Sequence, residues 1–131
     1  MIDPKRSELM RKVRRESTGP ELIVRKLLSE HGYRYRLNVK GLPGSPDIVF
    51  KGRRKVIFVH GCFWHRHSGC RLASMPKTRV EFWKDKFKAN VTRDRRKEKQ
   101  LRADDWEVLT VWQCQTKDTK ALAKILNSFL Q

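Results

Sequence analysis

The sequence predicts an α/β fold, a mixed sheet flanked by helices, and three observations carry that expectation. Apolar residues recur at helical spacing over 18–31, 79–103 and 117–130, and strand-like runs fall at 33–39, 47–60 and 106–112. The two kinds follow one another as helix, three strands, helix, strand, helix, an order that suits an α/β sandwich. A length of 131 residues matches one hydrophobic core, so a single domain over 1–131 is expected.

Segment 1–16 is strongly basic, and over 3–15 it reads as a short helix whose Arg11, Lys12, Arg14 and Arg15 face outward, placed to lie along phosphates. Thr18-Gly19-Pro20-Glu21 marks the next helix start, with Thr18 as N-cap, Pro20 in the first turn and Glu21 as a capping-box acid. Leu22, Ile23, Leu27 and Leu28 form its apolar stripe, and Gly32 supplies its stop. Over 33–39, β-prone residues alternate with Arg34, Arg36 and Asn38, which predicts a strand with one basic face.

Glycine and proline break the chain at 41–46, after which Asp47-Ile48-Val49-Phe50 and Lys55-Val56-Ile57-Phe58-Val59-His60 read as a hairpin. The second strand is apolar nearly throughout and belongs at the centre of the sheet. A cysteine- and histidine-rich loop follows over 61–76. The helical pattern of 79–103, with a break expected near Asn90, puts Phe87, Val91, Asp94, Glu98 and Leu101 on one face. A strand over 106–112 and an amphipathic helix over 117–130 complete the order.

Lysine and arginine number 31 against 14 acids, a net charge of +17 that repels itself unless a polyanion screens it. Nucleic acid is the expected partner. No run approaches the roughly 20 apolar residues of a membrane span, and Met1-Ile2-Asp3-Pro4-Lys5-Arg6 has no apolar signal core, so a cytoplasmic location and no membrane partner are expected. In that reducing compartment, three cysteines beside histidines point to metal binding rather than disulfides.

Cys62, His67 and Cys70 lie within nine residues, a spacing at which two thiolates and an imidazole converge on one tetrahedral zinc ion. The fourth ligand is His65, His60 or the distant Cys114, and spacing does not choose among them. A second constellation has harder donors. Asp47 at a strand start, with groups on the returning strand, is the arrangement by which PD-(D/E)xK nucleases hold a divalent ion against a phosphate. The strand 56–60 offers neither acid nor lysine, so a backbone carbonyl near Val59 would have to assist Asp47, and His65, oriented by Asp94, would activate water.

With Pro46-Asp47, His60-Gly61-Cys62-Phe63-Trp64-His65, Glu81-Phe82-Trp83, Asn90-Val91-Thr92-Arg93-Asp94-Arg95 and Trp112-Gln113-Cys114 in place, nearly the whole chain resembles the very-short-patch repair (Vsr) DNA mismatch endonucleases. The resemblance implies a restriction-endonuclease-like fold that nicks double-stranded DNA 5′ of the mispaired T in T:G mismatches, which arise by deamination of 5-methylcytosine. It implies Mg²⁺ held by Asp47 and the Val59 carbonyl, His65 and Asp94 handling the water, and His60 and Glu21 nearby. It further implies zinc on Cys62, His67, Cys70 and Cys114 and an aromatic wedge of Phe63, Trp64 and Trp83, while Arg93 and Arg95, in the basic run 84–102, are expected to contact the DNA backbone. A monomer acting on nucleoid DNA, with a mismatch-repair MutL protein and a nick-translating polymerase as partners, completes the expectation. Arg66 departs from the glycine or histidine common between the two histidines of this motif.

Overall fold

The computed structural model describes residues 19–37 and 39–131. The expected basic helix over 3–15 and the Thr18 N-cap lie outside the described residues. Helix α1 (Gly19–Glu30) leads through a loop to β1 (Ile48–Phe50) and β2 (Lys55–His60). Then come a short 3₁₀ turn (Arg71–Ala73), α2 (Val80–Ala103), β3 (Glu107–Trp112), a 3₁₀ segment (Gln113–Lys117) and α3 (Thr119–Leu130).

The sheet is mixed, in the order β1-β2-β3. Strand β1 runs antiparallel to β2 with Ile48 opposite Ile57, while β3 runs parallel to β2 with Val59 opposite Val111. β2 is therefore the central strand, and its two faces serve two cores. Ile57 packs with Val24 and Leu28 of α1 and with Leu122, Leu126 and Leu130 of α3. Val56 and Phe58 point the other way, with Leu101 of α2, Trp106 and Val108. The period-2 alternation of a strand covered on both sides thus produces three layers.

The ends of the helices follow from local chemistry. Gly32, at φ +79, closes α1 with the Tyr33 N–H on the Leu28 carbonyl at 3.0 Å and its own N–H on Ser29, the paired bonds of a Schellman stop. Asp105 takes the same left-handed place after α2, where the Trp106 N–H reaches Leu101 at 3.0 Å. Asp118 caps α3 by accepting the Ala121 N–H at 3.1 Å.

Two expectations are corrected. The strand predicted over 33–39 shrinks to a single bridge, in which Arg36 and Val49 exchange both backbone bonds at 2.9 Å. Its partner, β1, has only three residues, too few to template a longer strand. The break expected near Asn90 is missing, and α2 is one continuous helix of 24 residues. The Asn90 amide is engaged away from its own backbone, donating to the Trp64 carbonyl at 3.4 Å and accepting from Arg93 at 2.8 Å, so it does not compete for the helix ladder.

Candidate active site and metal centre

A cavity of about 330 Å³ opens where the β1 start, the β2 end, α1 and α2 meet. Asp47 reaches it from the residue before β1, and its Oδ2 accepts the Val59 N–H at 2.7 Å. An extended residue directs its N–H and C=O to the same strand edge, so the Val59 carbonyl lies on the side where β1 has ended. Glu21 enters from the first turn of α1. It is only 7% exposed and lies against Asp47, with Arg25 Nη1 at 3.9 Å. Its expected capping-box partner, Thr18, lies outside the described residues, while its place on this cavity is the one the family resemblance implies.

Burial first, and the charge of Asp47 second, push the Glu21 carboxyl up to about 7. Asp47 is also raised by burial, against the opposing pull of the Val59 N–H. Two desolvated carboxyls in contact cannot both ionise cheaply without a cation. Two carboxylates beside a strand-edge carbonyl form an all-oxygen donor set, the kind a hard divalent ion takes.

Across the cavity, His65 Nδ1 lies 2.6 Å from Asp94 Oδ2. His60, His65 and Asp94 have donor atoms close enough to be considered for a metal ion. However, 2.6 Å is a hydrogen bond, shorter than the separation of about 3 Å or more that two ligands of one ion require. Burial works against the Asp94 anion, but the His65 hydrogen bond and the surrounding His65, His60 and Arg93 charges outweigh it, leaving its pKa below the usual value. His60 stacks face to face on His65, with centroids 3.9 Å apart. Burial, then the neighbouring His65, drives His60 down to about 4, so it is neutral at physiological pH.

The donor atoms of Cys62, His67, Cys70 and Cys114 all lie within 4.8 Å of one another. His67 Nδ1 is 3.7 Å from Cys62 Sγ and 3.4 Å from Cys114 Sγ, close to the ~3.5–3.8 Å edges of a tetrahedron drawn at zinc bond lengths. Cys114 arrives from the 3₁₀ segment after β3, and its backbone N–H points at Cys62 Sγ at 3.4 Å. His67 stacks on Trp112 at 4.3 Å, which fixes the imidazole plane. Burial pushes the Cys62 thiol up to about 11, so ionising it calls for a cation. Of the three residues left open as fourth ligand, the fold brings Cys114 to this cluster and places His60 and His65 in the cavity.

Phe63, Trp64 and Trp83 are half-buried and touch one another, with centroids 5.3–6.1 Å apart. Buried Phe87 anchors the cluster, and Phe82, 45% exposed, extends it toward solvent. Neither had stood out in the sequence as a functional ring. Arg66, the departure from the motif, makes several contacts of its own. At φ 55 its guanidinium donates to the carbonyls of Phe63, Ala73 and Ser74, at 3.2, 2.6 and 3.2 Å, and lies 4.1 Å from the Phe87 ring centre. It thereby latches the cysteine- and histidine-rich loop to α2. Arg93 lines the cavity, whereas Arg95 is exposed on α2 and is not among the cavity's walls.

The family model described as DNA mismatch endonuclease Vsr matches residues 2–71. The type II nicking enzyme V.XorIIP of Xanthomonas oryzae pv. oryzae is 52% identical over 126 residues, covering 96% of this chain and 92% of that protein. The type II nicking enzyme V.NmeAIP of Neisseria meningitidis is 39% identical, covering 97% and 90%. The DNA mismatch endonuclease Vsr of Escherichia coli is 45% identical over 109 residues, covering 83% and 69%. The chain belongs to the Vsr DNA mismatch endonuclease family.

Proposed function

We propose that this protein is a Mg²⁺-dependent, strand-specific endonuclease that nicks 5′ of the mispaired T in T:G mismatches, and so opens very-short-patch repair. The observation that carries the reading is the His65–Asp94 hydrogen bond of 2.6 Å on a cavity shared with Asp47 and Glu21. The names of the relatives as nicking enzymes and mismatch endonucleases support cleavage of one strand at a mispair. A restriction-endonuclease-like fold is supported by Asp47 at the hairpin entrance and by the β1-β2-β3 sheet. The unit proposed is one domain over 1–131, acting as a monomer on nucleoid DNA, with the basic 1–16 segment along the backbone.

Asp94 holds the Nδ1–H tautomer of His65, which leaves Nε2 to take a proton from the attacking water. Neutral His60 braces the ring by stacking and adds no positive charge that would oppose its protonation. Asp47, the Val59 carbonyl and Glu21 would hold Mg²⁺, which supplies charge neutralisation at the phosphoryl oxygens. Cys62, His67, Cys70 and Cys114 would hold Zn²⁺, which supplies a cross-link between the loop and the end of β3. Phe63, Trp64 and Trp83 would insert beside the mispair, where unstacking is least costly, and Arg93 and Arg95 would contact the backbone. A MutL protein and a nick-translating polymerase are the proposed partners.

The test uses T:G and T:A duplexes with each strand labelled in turn, in Mg²⁺ and in EDTA. A nick confined to the T strand of the T:G duplex, and only with Mg²⁺, is expected. Equal cutting of both duplexes, metal-independent cutting, or release of free thymine would reject the reading.

A further inference from the structure

β2, which returns from Asp47, places no lysine or arginine at the cavity, since Lys55 stands at its far end and His60 is neutral, so a permanent cation there must come from another element. α2 provides two, Arg93 and Lys97, one turn apart and both on the cavity wall. Arg93 is exposed and tied to Asn90 at 2.8 Å. Lys97 is half-buried, and its stem lies on the glycine turn that precedes Asp47. A Cβ at Gly44 would stand 3.1 Å from Lys97 Cβ, 3.2 Å from its Cδ and 3.2 Å from Phe58 Cζ. At φ +79, Gly44 both permits the turn and leaves room for that stem. The stem is sheltered, and the charged head is left at its far end.

The acids on the cavity wall already have other partners. Glu98 is paired with Arg102 at 2.9 Å, Asp94 with His65 at 2.6 Å, and Glu21 is shared between Asp47 and Arg25. Among the described residues no carboxylate forms an ion pair with Lys97. Lys97 is therefore a cation on the cavity wall with no carboxylate paired to it among the described residues.

We propose that Lys97 binds a non-bridging oxygen of the scissile phosphodiester, from the α2 wall of the cavity. The proposal rests on the endonuclease reading above. Attack of water adds negative charge to the phosphoryl oxygens, so an ammonium at that position is worth more in the transition state than in the ground state. Its loss should lower the rate of cleavage more than the affinity for DNA.

The experiment compares wild type with Lys97→Met, Lys97→Arg and Lys124→Met, the last altering an exposed lysine on α3. Single-turnover nicking of a T:G duplex is measured in Mg²⁺, affinity for the same duplex in Ca²⁺, and folding by thermal unfolding. Lys97→Met is expected to lower the rate by on the order of 10²-fold, as for removal of one oxyanion donor, while affinity changes by less than about threefold. Lys97→Arg should keep more of the rate than Lys97→Met, and Lys124→Met should match wild type. A Lys97→Met rate within about threefold of wild type, or a rate loss matched by an equal loss of affinity, would overturn the assignment. Wild-type protein that fails to nick the T:G duplex overturns the endonuclease reading and this proposal together, whereas normal nicking by Lys97→Met overturns the role of Lys97 alone.

Discussion

The segment from His60 to Cys70 feeds two centres of opposite construction. Cys62, His67 and Cys70 turn to a closed set of soft donors completed by Cys114, while His60 and His65 turn to an open cavity walled by carboxylates. A closed tetrahedral set suits a metal that holds structure together. An open, oxygen-rich cavity with buried acids and a hydrogen-bonded imidazole suits chemistry on a substrate. The contrast teaches that one short loop can be fixed by the first centre so that the second is held in place, and it is open to direct perturbation.

The largest effect is expected at the closed centre. Cys62→Ser or Cys114→Ser should abolish zinc retention and cooperative unfolding, because a structural zinc contributes on the order of 10 kcal/mol to the folded state. Metal analysis and thermal melts check this, and wild-type stability in metal-stripped protein would break the comparison. At the open centre, Asp47→Asn should abolish nicking while the melting temperature, zinc content and T:G affinity stay near wild type. Full activity of that variant in Mg²⁺ would remove Asp47 from the metal site.

A smaller effect sharpens the boundary between the two centres, at the aromatic cluster whose Phe63 and Trp64 lie between Cys62 and His65 in sequence. Trp64→Ala or Trp83→Ala should weaken T:G binding by up to a few kcal/mol while binding to ordinary duplex changes far less. Equal losses on both duplexes, or unfolding of both variants, would make these rings core residues.

The smallest effect is on the pH dependence of stability. Glu21 is raised from 4.5 to about 7 in the folded chain, so between those values the folded state holds a proton that the unfolded chain has released. Without Mg²⁺, stability should therefore fall as pH rises from about 4.5 to 7. Glu21→Gln should flatten that slope. An unchanged slope in the variant assigns the dependence to another group.

Much of this arrangement was legible in the residues, and the parts that were not share a cause. The central place of β2 followed from its apolar run, and the end of α1 from Gly32, because both signals are local. Three donors of the closed centre stood within one loop, but choosing Cys114 required knowing where β3 ends in space. The 33–39 segment has strand-like alternation, yet its pairing depended on the length of a different segment. Lys97 is one of 31 lysines and arginines, and only the approach of Gly44 distinguishes it. Arg66 acts through carbonyls up to eight residues away and through a ring on α2, contacts that no spacing announces.

The claim that the loop serves two separate centres turns most directly on His65, which lies two residues from the metal-cluster histidine His67. The deciding measurement is zinc content and single-turnover nicking of the His65→Ala variant, taken on the same preparation. The account predicts zinc equal to wild type and a rate lower by roughly 10²–10⁴, the usual worth of a positioned general base. Loss of zinc would make His65 part of the closed centre, and zinc retention with an undiminished rate would remove it from the chemistry of the open one.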